Sequence, residues 1–242
     1  VALAVRAAAR DLPAVARWAA ALAAVGWPIV WVESVAGKDY LVSAGLAAWA
    51  VVAAAERRPA LAGALFGVSV GFRLPMVALA PACALAHPEP FGRAGRRSAV
   101  VGAAALLGTA VLALSPALAT YGLGIFRSED PAGYAPARLL WALPGALGPL
   151  GILGFGLAGL GGRVASPLSA PTRAGGILRA SLGIVALQLG VFALNPGSSP
   201  ASYLVPVAPF VVLAVALGGA RLRTPTLAAW ARRHAGVKVT VG

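Results

Sequence analysis

Charge is scarce in this chain, and so are the residues that build thiolate or imidazole centres. Of its 242 residues 11% are charged and 60% are hydrophobic, with a mean hydropathy of +0.84, a balance that does not describe a water-soluble domain of this length. The single cysteine, Cys83, excludes an intramolecular disulfide and a metal site built on thiolates. His87 and His234 have no neighbouring ligand residues and receive no metal or catalytic role. No polar segment is large enough to form a second, soluble domain.

Acidic residues are also few: seven Asp and Glu against twenty Lys and Arg leave a net charge of +13. The basic residues come in short clusters between apolar runs, which is the pattern of inner membrane loops rather than of a nucleic-acid-binding face. Nucleic acid is therefore excluded as a partner, and membrane lipid takes its place. The sequence predicts an all-α, polytopic transmembrane helix bundle: an integral, multi-pass protein of the plasma membrane. Residues 1–219 form one transmembrane domain, and residues 220–242 form a basic cytoplasmic tail. Within that tail 226–234 can form an amphipathic basic helix lying on the anionic inner surface.

Loop charges set the topology. Arg6, Arg10 and Arg17 precede an apolar run that extends to about Val32, with Trp27 and Trp31 near its far end, so this run goes from inside to outside. The run 40–55 returns to Arg57 and Arg58. Further along, 98–114 goes out, 115–136 forms an outer loop, and 139–160 comes back to an inner loop carrying Arg163, Arg173 and Arg179. The run 180–194 goes out, 195–201 turns, and 202–217 returns to the basic tail. Of the twenty basic residues, this arrangement leaves Lys38, Arg127 and Arg138 outside and Arg73 within the apolar layer.

Residues 60–86 begin beside Arg57 and Arg58 and end beside Arg93, Arg96 and Arg97, so both ends belong inside. They are too few for two full crossings at about 20 residues each. A half-helix hairpin at 60–86 meets both constraints, with its break at Arg73-Leu74-Pro75, where Pro75 denies a backbone donor. The alternative is one tilted, proline-kinked helix that breaks the positive-inside pattern once. In the hairpin, about 13 residues at 1.5 Å rise lift Arg73 roughly 20 Å from the inner side. Gly63, Gly67 and Gly71 give the first arm a flat face for close packing. A charge at that depth is a functional-site hypothesis by default.

Four of the seven acidic residues, Glu33, Asp39, Glu129 and Asp130, fall on the outer side. Carboxylates beside Arg73, Lys38 and Arg127 suit a ligand carrying phosphate and hydroxyl groups. Arginine grips phosphate oxygens in a fork, and a carboxylate takes a hydroxyl proton. Plainer roles stand beside these: Glu33 as a residue leaving the first span, Lys38 and Asp39 as solvated loop charges, Tyr203 as an interfacial anchor, and Gln188 as an interhelical hydrogen-bonding residue.

The segment from Trp27 to Tyr40, with Glu33, Lys38 and Asp39, is followed by Ala62-Gly63, Gly67, Arg73 and Pro75. This order resembles the GT-C superfamily of polytopic membrane glycosyltransferases, of mannosyltransferase-like type, in which a short acidic outer loop precedes an AGxxxGxxxxxRxP element. Tyr203-Leu204-Val205-Pro206-Val207-Ala208-Pro209 resembles the YLxPxxP segment that opens a late span in that family. The resemblance covers roughly 27–86 and 195–217.

The resemblance implies an enzyme that moves a sugar from a polyprenyl-phosphate donor to a glycan, lipid or protein acceptor on the outer face, with no cofactor. A carboxylate, Asp39 or Glu33, would act as base, and Arg73, Lys38, Arg127 and Tyr203 would bind substrate. The usual base of the superfamily follows a first span that has no counterpart here, so the chain reads as an N-terminally truncated piece with the principal base upstream of Val1. Two other classes stay open. One is a transporter or flippase of a phosphorylated or anionic lipid-linked solute, which the lack of an ionisable path through the spans disfavours. The other is a non-catalytic membrane subunit.

Overall fold

A computed structural model of the chain describes residues 1–27, 30, 39–122, 172–194 and 206–222. Among these residues every regular element is helical. The elements are α1 (Ala2–Ala8), α2 (Ala14–Val25), α3 (Tyr40–Ala55), α4 (Pro59–Phe72), a 3-10 segment (Leu74–Leu79), α5 (Ala80–Ala84), α6 (Arg93–Tyr121), α7 (Arg173–Leu194) and α8 (Ala208–Leu222). Alanine and leucine favour these helices throughout, while proline and glycine divide them. Pro13 separates α1 from α2, Gly26 ends α2, and Pro59 opens α4 at a first-turn position that needs no N–H.

The α3–α4 corner turns on Arg57, which holds a left-handed φ of 59°. Its N–H bonds the Ala54 carbonyl at 3.1 Å and the Arg58 N–H bonds the Ala53 carbonyl at 2.9 Å. These bonds satisfy carbonyls that the helix end would otherwise orphan.

Helix α4 ends at Arg73, whose backbone is extended (φ −147°, ψ 102°). The chain then enters the 3-10 segment at Leu74, with Pro75 in its first turn, where the missing donor costs nothing. The break therefore falls on Arg73 itself. Beyond it the chain turns back: one cavity is lined both by Pro59, at the start of α4, and by His87, just past α5.

Helix α6 then runs alongside α4 in the same direction. A Cβ at Gly63 would strike the Gly102 carbonyl, one at Gly67 would strike Thr109 Oγ1, and one at Gly71 would strike the Ala113 Cβ. The three glycines thus let the two backbones meet. Thr109 Oγ1 adds a bond across the seam to the Ala64 carbonyl at 3.3 Å.

Helix α7 packs antiparallel to α5, with Gly176 against Ala86 and Gly183 against Ala82. Of the described residues, Phe66, Leu79, Ile177, Ile184, Phe210 and Leu213 rank among the bulkiest fully buried side chains of the core. Two helices, Arg93–Tyr121 and Arg173–Val191, are long and apolar enough to cross a membrane. The first is 6% buried over its most apolar window and turns Val100, Leu107, Val111 and Leu112 outward.

Several boundaries differ from the sequence reading, two of them for a clear local reason. Helix α6 continues past Ser115 to Tyr121 although Pro116 lies inside it. Pro116 cannot donate to the Leu112 carbonyl, and Ser115 Oγ donates to that carbonyl instead at 2.8 Å. Helix α7 begins at Arg173 rather than near Ala180, because both of its arginines find protein acceptors.

Arg173 bonds the Ala7 and Ala8 carbonyls at 2.8 and 3.2 Å, and it pairs with Asp11 and Glu56 at 3.1 and 3.4 Å. Arg10 joins the cluster through Glu56 at 2.8 Å. Arg179 is buried and donates to the carbonyls of Leu85, His87 and Pro88 at 3.3, 2.9 and 3.1 Å.

Candidate functional site

The antiparallel pairing of α3 and α4 decides which polar residues meet. Asp39 precedes α3, and its backbone carbonyl accepts the Ser43 N–H at 3.1 Å. At the matching end of α4, the Arg73 N–H bonds the Ser69 carbonyl at 3.0 Å. Ser43 Oγ donates to the Ser69 carbonyl at 3.1 Å, Ser69 Oγ donates to the Ser43 carbonyl at 2.9 Å, and the two hydroxyls lie 2.9 Å apart. Both serines are fully buried. One turn beyond them, Asp39 Oδ1 and Arg73 Nη2 form an ion pair.

Tyr40 completes the cluster, its ring 3.7 Å from Arg73 Cζ. A guanidinium stacked on a phenol ring gains a cation–π attraction, and the ring also fixes the plane of the fork. Helix polarity acts in the same sense, because Asp39 stands at an N-terminus and Arg73 at a C-terminus. Arg73 keeps 33% of its side chain exposed and Asp39 keeps 40%. Arg73 Nε is buried, and no hydrogen-bond acceptor reaches it among the described residues. The result is an anchored, partly open arginine with donor capacity unspent.

This cluster lies at the opposite end of the bundle from the Arg10–Asp11–Glu56–Arg173 network. The 16 residues of α3 separate Asp39 from Glu56 by about 24 Å at 1.5 Å rise. Among the described residues, the charged side chains thus gather at two ends, with α3 and α4 spanning between them.

Of the six residues singled out from sequence, the structure brings Asp39 and Arg73 together. Glu33, Lys38, Arg127 and Tyr203 lie outside the described residues, as do Glu129 and Asp130. Sequence reasoning missed Tyr40, Ser43 and Ser69 as partners of the site. The signal was there: Asp39 to Ser43 and Ser69 to Arg73 are both four-residue steps, which align on facing helices. His87, given no role from sequence, is buried, and its Nδ1 accepts the Glu89 N–H at 3.1 Å.

Among the described residues, no group of three or more His, Cys, Asp or Glu side chains could hold a metal ion. A cavity of about 430 Å³ lies between α4, α5 and the first half of α6. It is apolar and sits toward the Arg57 end, so it is separate from the Asp39–Arg73 pair. Against protein-family models, curated proteins and solved structures, the chain gives no match. Among the described residues, fold and site show helices throughout, two of them long and apolar enough to cross a membrane, and an ion pair at a helix break.

Proposed function

We propose that this chain is a multi-pass protein of the plasma membrane, and that Asp39, Tyr40 and Arg73 form the outer mouth of a glycosyltransferase that uses a polyprenyl-phosphate-linked sugar. The observation that carries the reading is the setting of Arg73. It ends a half-length helix about 20 Å from the Arg57–Arg58 corner, faces a carboxylate and remains partly open. A cation at that depth needs a partner or a wet cavity, and non-helical backbone there needs the same.

In this reading Arg73 donates to phosphate oxygens of the lipid-linked donor, using fork positions that Asp39 does not occupy. The Asp39 carboxylate accepts the proton of the acceptor hydroxyl. The acceptor oxygen forms a bond to the anomeric carbon, and the bond from that carbon to the phosphate oxygen breaks. The electron pair leaves with the polyprenyl phosphate, whose new charge the guanidinium stabilises. Glu33 would be a second carboxylate, and Lys38, Arg127 and Tyr203 would hold the donor or the acceptor from the outer loops.

Sealed membrane vesicles carrying the chain test this with a radiolabelled polyprenyl-phosphate mannose donor. Label should pass to an acceptor on the outer face, and Arg73→Ala and Asp39→Asn should each abolish transfer while leaving the protein in the membrane. Movement of intact donor across the bilayer, with no transfer, would replace the enzyme by a flippase.

A further inference from the structure

We propose that the cleft between α4, α5 and α6 is a binding site for one hydrocarbon chain of an anionic phospholipid from the inner leaflet. The inference rests on the membrane placement given above but not on sugar transfer.

The cleft has the shape of a lateral slot. Its floor is buried and apolar, made by Ala62, Phe66 and Cys83. Its rims are exposed, with Val77 on one side and Leu107 on the other, so it opens sideways between the returning arm and α6. In a membrane the medium at that opening is hydrocarbon. At about 430 Å³ the slot falls within the range of small-molecule sites, about 300–1,000 Å³. The slot stands open because the glycine seam joins α4 to α6 directly, which leaves the short α5 unable to close against α6.

The inner end of the slot selects the headgroup. His87 and Ser98 are the lining residues there with polar side-chain groups. His87 Nδ1 already accepts the Glu89 N–H, so its neutral form carries its proton on Nε2 as a donor. Gly95 and Ser98 of α6 line the slot; Arg93, Arg96 and Arg97, all exposed, do not line it but stand in the same first turns, at the level of its inner end. No acidic residue occupies the first turn of α6, and its N-terminal dipole adds to the positive field. Glu89 opposes the three arginines nearby. The balance of these exposed charges favours a negative headgroup. Phe91, 79% exposed in the preceding loop, provides an aromatic anchor at the same level.

The experiment uses the full chain in lipid nanodiscs containing phosphatidylglycerol or phosphatidylcholine with a photoreactive diazirine in one acyl chain, with cross-links mapped by mass spectrometry. Phosphatidylglycerol should label Val77, Cys83 and Leu107 preferentially. Arg93→Gln with Arg96→Gln should bring that labelling down toward the phosphatidylcholine level. Filling the slot with Ala103→Trp at its exposed rim should remove slot labelling by both lipids.

Labelling of Val111 and Leu112 on the outward face reports membrane embedding itself. If those positions label and the slot does not differ from them, the contact is ordinary bilayer and the site is overturned. If Val111 and Leu112 label while Val77, Cys83 and Leu107 stay unlabelled by both lipids, something other than lipid fills the slot and the site is equally overturned. If none of these positions labels, the membrane placement fails instead.

Discussion

Ser43 and Ser69 exchange reciprocal hydrogen bonds between α3 and α4, each hydroxyl donating to the other's carbonyl, one helical turn below the Asp39–Arg73 pair. A buried serine pair of this kind locks register, because a slip by one residue would break both bonds together. Interhelical hydrogen bonds in membranes average about 0.6 kcal/mol by double-mutant cycles. A cycle built from Ser43→Ala and Ser69→Ala, read by unfolding in mixed detergent, should give coupling of about that size. Zero coupling would mean that the serines bond their own helices and set no register.

Arg73 joins two attractions of different geometry. Lysine can replace the charge facing Asp39 but not the planar stack on Tyr40. Arg73→Lys should therefore retain a folded protein and retain the ion pair, yet lose most of any phosphate-dependent activity. Tyr40→Leu should lower kcat as well as weaken donor binding, since the ring orients the fork that stabilises the departing phosphate. Equal activity of Arg73→Lys and the parent would remove the fork from the account.

The α4–α6 seam is one of the closest helix contacts among the described residues. A side chain at Gly67 meets Thr109 Oγ1 and the Leu106 carbonyl, both held by a continuous helix. Gly67→Val should cost about 1–3 kcal/mol by overpacking. Gly108 has no neighbour within 4 Å of an added Cβ, so Gly108→Ala should be neutral or slightly stabilising. Melting temperatures of the two variants in the same detergent check the contrast. Indistinguishable values would mean that the helices do not meet at Gly67.

The charge pattern made the helical architecture and the break at Arg73 legible, because both ends of 60–86 carry arginines and Pro75 interrupts the run. The glycine spacing likewise pointed to a close-packing face, although not to α6 as its partner. Arg173 and Arg179 misled a reading that equates arginine with an aqueous loop. Carbonyls freed at the ends of α1 and α5 accept their donors, and a sequence scanned for loop charge cannot see such acceptors. Tyr40 and the serine pair were only half legible for a related reason: the four-residue steps from Asp39 to Ser43 and from Ser69 to Arg73 mark one face of each helix, but the register that brings those faces together is recorded in neither helix alone.

Arg57 offers a measurement independent of function. Its φ of 59° is the conformation that glycine adopts freely at a helix end, whereas an L-residue with a Cβ loses roughly 1–2 kcal/mol there. The hydrogen bonds that close the corner come from the backbone N–H groups of Arg57 and Arg58, so they survive a change of side chain. Arg57→Gly should therefore raise stability by about 1 kcal/mol. Arg57→Val should lower it, since a β-branched side chain is the least compatible with positive φ. The opposite order in thermal unfolding would show that the α3–α4 corner does not turn through a left-handed residue.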